Sequence, residues 1–218
     1  MIKVKDINGS TIKLEVRSFS YQGNFMGESY ISFDVNSPVY INFEIGDYIE
    51  YRGERFVLNY IPSPIKNGTP GKSGDAFVYR DVKFNSLADE LTRCDFLDVV
   101  LADNHVHFTS LSKFSFYAAT VKDLADRIQA NLNRLYNGGE AWTVTVEEDV
   151  AVKDKSLSVD NINCWEALSL VNSDFDANFV ISGRTIRIGT AGISVGTVFG
   201  YGKGNGLINI EQSTNNDS

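Results

Sequence analysis

Cysteine and histidine are almost missing from this sequence, with two of each. Cys94 and Cys164 stand far apart and form no C-x-x-C pair. That spacing argues against a disulfide framework and suits a reducing compartment. His105 and His107 would share one face of a strand, with Asp103 beside them. No further histidine and no nearby Cys or Glu cluster completes a ligand set, so no metal is assigned. No apolar run approaches the length of a membrane span, and the opening "MIKVKDINGS" lacks the apolar core of a secretory signal. Lysine and arginine form no cluster, and the formal net charge is −8. Such a chain has no overall attraction to nucleic acid or to an anionic membrane. The expectation is a chain made in the cytoplasm, with no membrane partner, no specific nucleic-acid partner and no cofactor.

What is present is β-forming. Proline is scarce at four, while tyrosine and phenylalanine number 10 and 14 in 218 residues. "IKVKDINGSTIKLEV" places two short strands around Asn8-Gly9, a dipeptide favoured in tight turns. "SYISFDV" alternates Ile31, Phe33 and Val35 against polar neighbours. "DYIEYRGERFVLNYI" reads as a hairpin around Arg52-Gly53-Glu54. "PSPIKNGTPGKSGD" reads as an exposed loop, "AFVYRDVKFNS" as a strand, and "DFLDVVLADNHVHFTSL" as a hairpin turning near Asp103-Asn104. About seven short strands with close turns predict a small antiparallel barrel or sandwich.

The period then changes. Val121, Leu124, Ala125, Ile128, Leu132 and Leu135 lie at helical spacing, with Thr120 as cap, Asp123 in the third helical position and Gly138-Gly139 as the stop. "AWTVTVEED" follows as a strand. A second helix runs from about Cys164 to Asn172, capped by Asn163 and Glu166, with Trp165, Leu168 and Val171 as its buried stripe. "ANFVISGRTIRIGT" closes as a hairpin around Ser182-Gly183-Arg184. The fold class is therefore α+β: an amino-terminal barrel or sandwich over residues 1–110, a two-helix α/β portion over 111–195, and a glycine-rich connector over 196–218. Because the polar tail "STNNDS" comes so soon after a fresh strand, the chain reads as a piece of a longer protein or a short family member.

No catalytic residue emerges. "GYGKGNG" fails as a Walker loop, because Lys203 is followed by Gly204. As a dinucleotide fingerprint it places Asn205 or Leu207 where the third glycine belongs, and an apolar strand-like run comes next instead of a helix. Its glycines read instead as a backbone connector. "DFDANF" sets Asp174, Asp176 and Asn178 at calcium-loop spacing, but Phe179 and Thr185 occupy the positions that need Gly and Glu.

Several of these segments together resemble the tail proteins of phages and prophages. "TVFGYGKGNGLINIEQ" is similar to an aromatic-Gly-x-Gly-x-Gly-Leu run that leads there into a strand of the next domain. The order of "VKDLADRIQANLNRLY", strand, "NCWEALSLVNSDFDANF" and "VISGRTIRIG" is similar too. "EIGDYIEYRGERFVLNYIPSP" resembles the first barrel of the baseplate hub or tail-tip family. The resemblance implies a hub-protein-like scaffold without enzymatic activity, joining tail tube to central spike. Its implied partners are the tube and spike proteins and further copies of itself, as a trimer in the assembled virion tail. Gly200, Gly202, Gly204 and Gly206 would then be a hinge between domains. Longer relatives carry peptidase, lysozyme or carbohydrate-binding regions, and those activities are not carried over. The alternative is a tail-associated cell-wall hydrolase fragment or a carbohydrate-binding module, in which Tyr21, Tyr30, Tyr40 and Tyr51 would stack on sugars.

Overall fold

A computed structural model describes residues 1–6, 8–23, 26–67, 76–102, 105–136 and 141–189, and the backbone of 200–201 and 206–207. Its described residues form two apolar cores in succession along the chain.

The first core lies inside a curved antiparallel sheet. Its strands are β1 (Ile2–Lys5), β2 (Thr11–Leu14), β3 (Val16–Gln22), β4 (Tyr30–Ser37), β5 (Tyr48–Tyr51), β6 (Glu54–Val57), β7 (Ile65–Asn67) and β8 (Ala76–Ser86). They pair in the order β2-β1-β5-β6-β8-β4-β3, with β7 also on β8. The path is nearly closed, as a barrel. β4 buries Ile31, Phe33 and Val35 and leaves the alternate residues half-exposed, the period-two pattern of a strand over a core. Phe56, Leu58, Tyr79, Val82 and Phe84 complete the interior from the other strands.

Local chemistry makes the turns. Arg52 and Gly53 both take positive φ, at 54° and 82°, as a two-residue type I′ turn requires, so Glu54 is already in β6 opposite Tyr51. Asn8-Gly9 belongs to a wider loop, in which Asp6 Oδ1 accepts the N–H groups of Asn8 and Ser10, each at 2.8 Å. Part of the segment expected to be loop is β7, which pairs Ile65 with Val78. Residues 68–75 lie outside the described residues.

Strand β8 bends at a bulge where Asp81 sits at φ 47°. The Asp34 carboxylate accepts the Asp81 N–H at 2.8 Å. The Tyr60 hydroxyl donates to the Asp81 carbonyl at 2.7 Å and accepts from the Lys83 N–H at 2.9 Å. The extra residue is thus satisfied by side chains, and the bend helps an 11-residue strand track around a small barrel. At the barrel's end the buried Tyr79 hydroxyl both donates to the Ile41 carbonyl and accepts from its N–H, at 3.0 and 2.8 Å.

The second core gathers Leu91 through Ile188. The two cores change over between Phe84 and Leu91, upstream of the change in periodicity near residue 110. Between them lies α1 (Asp89–Thr92), a single turn not anticipated from sequence. The strands are β9 (Val99–Ala102) with β10 (His105–Phe108), β11 (Lys113–Ala118) with β13 (Lys155–Asp160), and β12 (Thr143–Val146), β14 (Asn178–Ser182) and β15 (Thr185–Gly189). In the last sheet β15 is central, parallel to β12 and antiparallel to β14.

The helices α2 (Val121–Leu135) and α3 (Cys164–Phe175) start where expected. Thr120 with Asp123, and Asn163 with Glu166, form reciprocal capping boxes. Two helical positions differ from expectation. Leu135 is exposed, and Asn131 takes the core place one turn earlier. Trp165 lies at the margin of the α3 stripe, edge-on to Phe179, while Cys164, Ala167 and Phe175 join Leu168 and Val171 inside. Asn131 belongs in the core because it serves as a backbone partner. Its side chain accepts from the Leu97 N–H and donates to the Leu97 and Arg127 carbonyls, all at 3.0 Å. The last described pairing joins β16 (Gly200–Tyr201) to β17 (Gly206–Leu207).

Candidate assembly surface

The barrel's strand order ends on β2 and β3, so each has a ladder partner on one side only among the described residues. Their sequences explain why they remain at the ends. In β2 only Leu14 is buried, with Thr11, Ile12 and Lys13 outward. In β3, Arg17, Ser18, Phe19 and Ser20 are all exposed. A strand edge presents a row of unpaired N–H and C=O groups, which can take up another strand.

Beside the β3 edge stands a group of aromatic rings. Phe19 and Tyr21 of β3 both pack on Tyr51 of β5, with ring centres 5.4 and 5.3 Å apart. Tyr21 also meets the buried Phe56 edge-on at 6.0 Å, which ties the group to the core. Arg52, in the type I′ turn, lies over both tyrosines, 5.3 Å from the ring of Tyr21 and 5.4 Å from that of Tyr51. Phe19 keeps 44% of its surface exposed. An open strand edge, an exposed ring and a cation held over aromatics suit protein–protein contact, where aromatic and Arg side chains are enriched.

Of the four tyrosines considered for sugar stacking, Tyr21 and Tyr51 therefore meet. Tyr30 has Lys83 over its ring at 4.2 Å, and Tyr40 packs against Phe77 and Tyr79. His107 is exposed on β10, whereas Asp103 and the His105 side chain lie outside the described residues. Among the described residues no three His, Cys, Asp or Glu side chains converge as a metal site. Asp176 is the left-handed cap ending α3, and Lys153 pairs with its carboxylate. Gly202 and Gly204 lie outside the described residues; Gly200 and Gly206 face each other in the short β16–β17 pair.

Two groupings escaped sequence reasoning. The first is a buried ion pair bridging 94 positions of chain. Arg184, in the turn between β14 and β15, donates from Nε and Nη2 to the two Glu90 carboxylate oxygens at 2.9 and 2.7 Å. Trp142 Nε1 donates to the same carboxylate at 2.9 Å, and the guanidinium lies 5.1 Å from the Tyr136 ring. Burial, then the Glu90 charge, pushes the Tyr136 hydroxyl above its ordinary range. Both Glu90 oxygens are engaged in holding α1 to the β14–β15 hairpin and to Trp142, which makes this group a fastening of the second core. The second grouping is Cys94 with Cys164, both buried and adjacent across a backbone bridge. Neither had a signal in local spacing, since both contacts are made by residues at least 70 positions apart.

No protein-family model matches the chain, and no curated protein matches its sequence. Solved structures do match. A prophage tail protein, gp18, from Listeria monocytogenes EGD-e superposes with a TM-score of 0.56 at 11% identity, over 86% of this chain and 50% of that one. The prophage MuSo2 43 kDa tail protein from Shewanella oneidensis gives 0.57 at 11% identity, over 86% and 54%. A tail protein from Neisseria meningitidis MC58 gives 0.50 at 13% identity, over 86% and 49%. The chain has the fold of these phage and prophage tail proteins and spans about half their length.

Proposed function

We propose that the chain is a structural subunit of a phage or prophage tail, in the baseplate hub or tail tip where tube meets spike. The observation that carries this reading is the fold, shared over 86% of the chain with three tail proteins. The barrel edges supply the means. In a ring, β2 of one copy meets β3 of the next, a head-to-tail contact that closes when the rotation allows, most simply as a trimer. Phe19 and Ile12 then become interface residues, and Arg52 anchors the aromatic side of the contact. The net charge of −8 on each copy opposes packing at low salt, so association is weak in isolation and tightens with the tube or spike protein. On this reading the barrel, whose core ends at Phe84, forms the ring, and the two helices of the second core serve with it as wedges that fix the subunit angle. Residues 196–218, with Gly200, Gly202, Gly204 and Gly206, act as a hinge between domains. The subunit is made in the bacterial cytoplasm and resides in the virion tail.

The aromatic group does not favour the sugar-binding alternative. Tyr21 and Tyr51 meet at 50°, so they offer no flat platform, and Arg52 already covers their faces.

The test is sedimentation velocity on the whole chain over a range of concentration and salt, alone and with the tube and spike proteins of the same phage. A trimer that strengthens with added salt and with a tail partner is expected. Ile12→Glu, at a position 37% exposed, should abolish association without lowering Tm. A chain that stays monomeric with every tail partner, or an Ile12→Glu variant that assembles normally, overturns the edge-to-edge ring. Peptidoglycan cleavage by the monomer would promote the hydrolase reading instead.

A further inference from the structure

The two cysteines, 70 positions apart, occupy facing places in the second core. Asp95 and Asn163 form an antiparallel bridge. On either side of it the Cys164 N–H donates to the Cys94 carbonyl at 2.8 Å and the Phe96 N–H to the Ile162 carbonyl at 2.9 Å. Cys94 and Cys164 are thus the opposed pair next to an isolated antiparallel bridge, joined by one backbone hydrogen bond where α3 begins. Opposed residues of that kind have Cα atoms about 5.5 Å apart, and disulfides span roughly 4.4–6.8 Å. Both side chains are fully buried in one apolar cluster. The Cys94 S–H donates to the Asn131 carbonyl at 3.3 Å, which holds its sulfur inside that cluster.

We infer that Cys94 and Cys164 of the folded chain join as a disulfide on exposure to a small-molecule disulfide oxidant, clipping the segment after α1 to the first turn of α3. The inference is independent of the tail reading, because it rests on the backbone bridge and the shared burial of the two side chains.

The surroundings assign the two sulfurs different parts. Cys164 donates its S–H toward Cys94, which lowers the Cys94 thiol below its ordinary range against the opposing effect of burial, and the Arg134 charge adds to that lowering. Arg134 Nε is itself buried without a hydrogen-bond partner among the described residues, so a neighbouring thiolate would meet a cation. The Cys164 thiol is pushed up, by its donation to Cys94 and by burial. Cys94 is therefore the attacking sulfur and Cys164 the resolving one. The Cys94 thiolate attacks one sulfur of the oxidant, breaking its S–S bond and releasing one thiol with the Cys94 proton. Cys164 then loses its proton and attacks Cys94 in the mixed disulfide, releasing the second thiol. Two protein thiols are oxidised and the oxidant is reduced to two thiols, so electrons and protons balance. Burial makes the reaction wait on local opening, and an exposed thiol would react faster.

The experiment treats the whole reduced chain with oxidised glutathione under native conditions. It tracks intact mass, free thiols after quenching, and Tm. The expected result is a loss of about 2 Da, a fall from two free thiols to none, a peptide joining Cys94 to Cys164, and a Tm rise of roughly 5–15 °C. Cys164→Ser should stop at one mixed disulfide on Cys94, and Cys94→Ser should react far more slowly. Wild-type chain that keeps both thiols while folded, that accumulates adducts without an internal bond, or that forms the bond with a fall in Tm overturns the inference. Those wild-type results decide the matter even where a serine variant fails to fold.

Discussion

Arg184→Ala tests whether the pair with Glu90 fastens the second core. Truncating one member of a buried ion pair costs about 3–5 kcal/mol, because the other charge is left without a partner. Arg184 and Glu90 are 22% and 10% exposed, so water relieves part of that penalty and the cost falls below that range, to about 2–3 kcal/mol. Loss of the contact with Tyr136 adds about 0.5 kcal/mol. For a chain of this size the sum corresponds to a Tm decrease of roughly 5–14 °C. Glu90→Ala removes the acceptor of Trp142 Nε1 as well, an orphaned buried donor worth about 1–3 kcal/mol. The double variant should cost less than the two singles together, with a coupling of about 1–2 kcal/mol. Tryptophan fluorescence is the suitable probe in urea titrations of all four proteins, because the only two tryptophans, Trp142 and Trp165, both belong to the second core. An Arg184→Ala change within about 0.5 kcal/mol, or a coupling near zero, would refute the argument that desolvation of Glu90 depends on this partner.

Two further outcomes rest on single side chains. Asn131→Ala should destabilise the second core by about 2–4 kcal/mol, since it strips partners from both the N–H and the C=O of Leu97; amide exchange at Leu97 should accelerate beyond that of its neighbours. Burial raises the Glu54 carboxyl above the ordinary range, against a smaller lowering by Ser182. A carboxyl raised by folding binds its proton more tightly in the folded state, so stability falls as pH climbs from the ordinary carboxylate range through the raised one. Glu54→Gln should therefore raise Tm at pH 7, and that advantage should disappear as the pH is lowered through the ordinary range; an equal Tm difference at both pH values would contradict the burial argument.

The parts legible in the sequence were those written in neighbouring residues. Thr120 with Asp123 and Asn163 with Glu166 announced two helix starts, and both boxes form. Arg52-Gly53 and Gly183 announced hairpins, because positive φ there favours glycine. Strands β3, β11 and β13 leave little trace in the sequence, since their outward faces carry serine, lysine and aspartate and their alternation is short. β7 was hidden inside a Pro- and Gly-rich stretch, and its strand character comes from the β8 edge it joins. Helix α1 is one turn long, below the length at which periodicity can register. In the candidate surface, Tyr21 and Tyr51 could be named from the sequence, but Phe19 and Arg52 join them only through the curl of the sheet, which brings β3 beside Tyr51 of β5. Cys94–Cys164 and Glu90–Arg184 depend wholly on tertiary placement, so spacing along the chain carried no trace of either.

Strand β8 has an implication for the order in which the barrel can be made. Before it is synthesised, the emerging chain offers three separate ribbons: β1 with β2, β3 with β4, and β5 with β6. A lone two-stranded ribbon is marginal in water. β1 and β5 share a single described pairing, Lys5 with Tyr48, which is a slender link. β8 is the strand that takes β4 on one side and β6 on the other, so it alone joins the second ribbon to the third. Such closure between distant residues is intrinsically slow. Ribosome pausing or a cut upstream of residue 76 would therefore release unjoined hairpins with open edges, whereas the same event beyond residue 86 would release a chain holding every strand of the barrel. The last strand is thus the piece whose arrival completes the barrel, and every buried residue of the second core follows it in the chain.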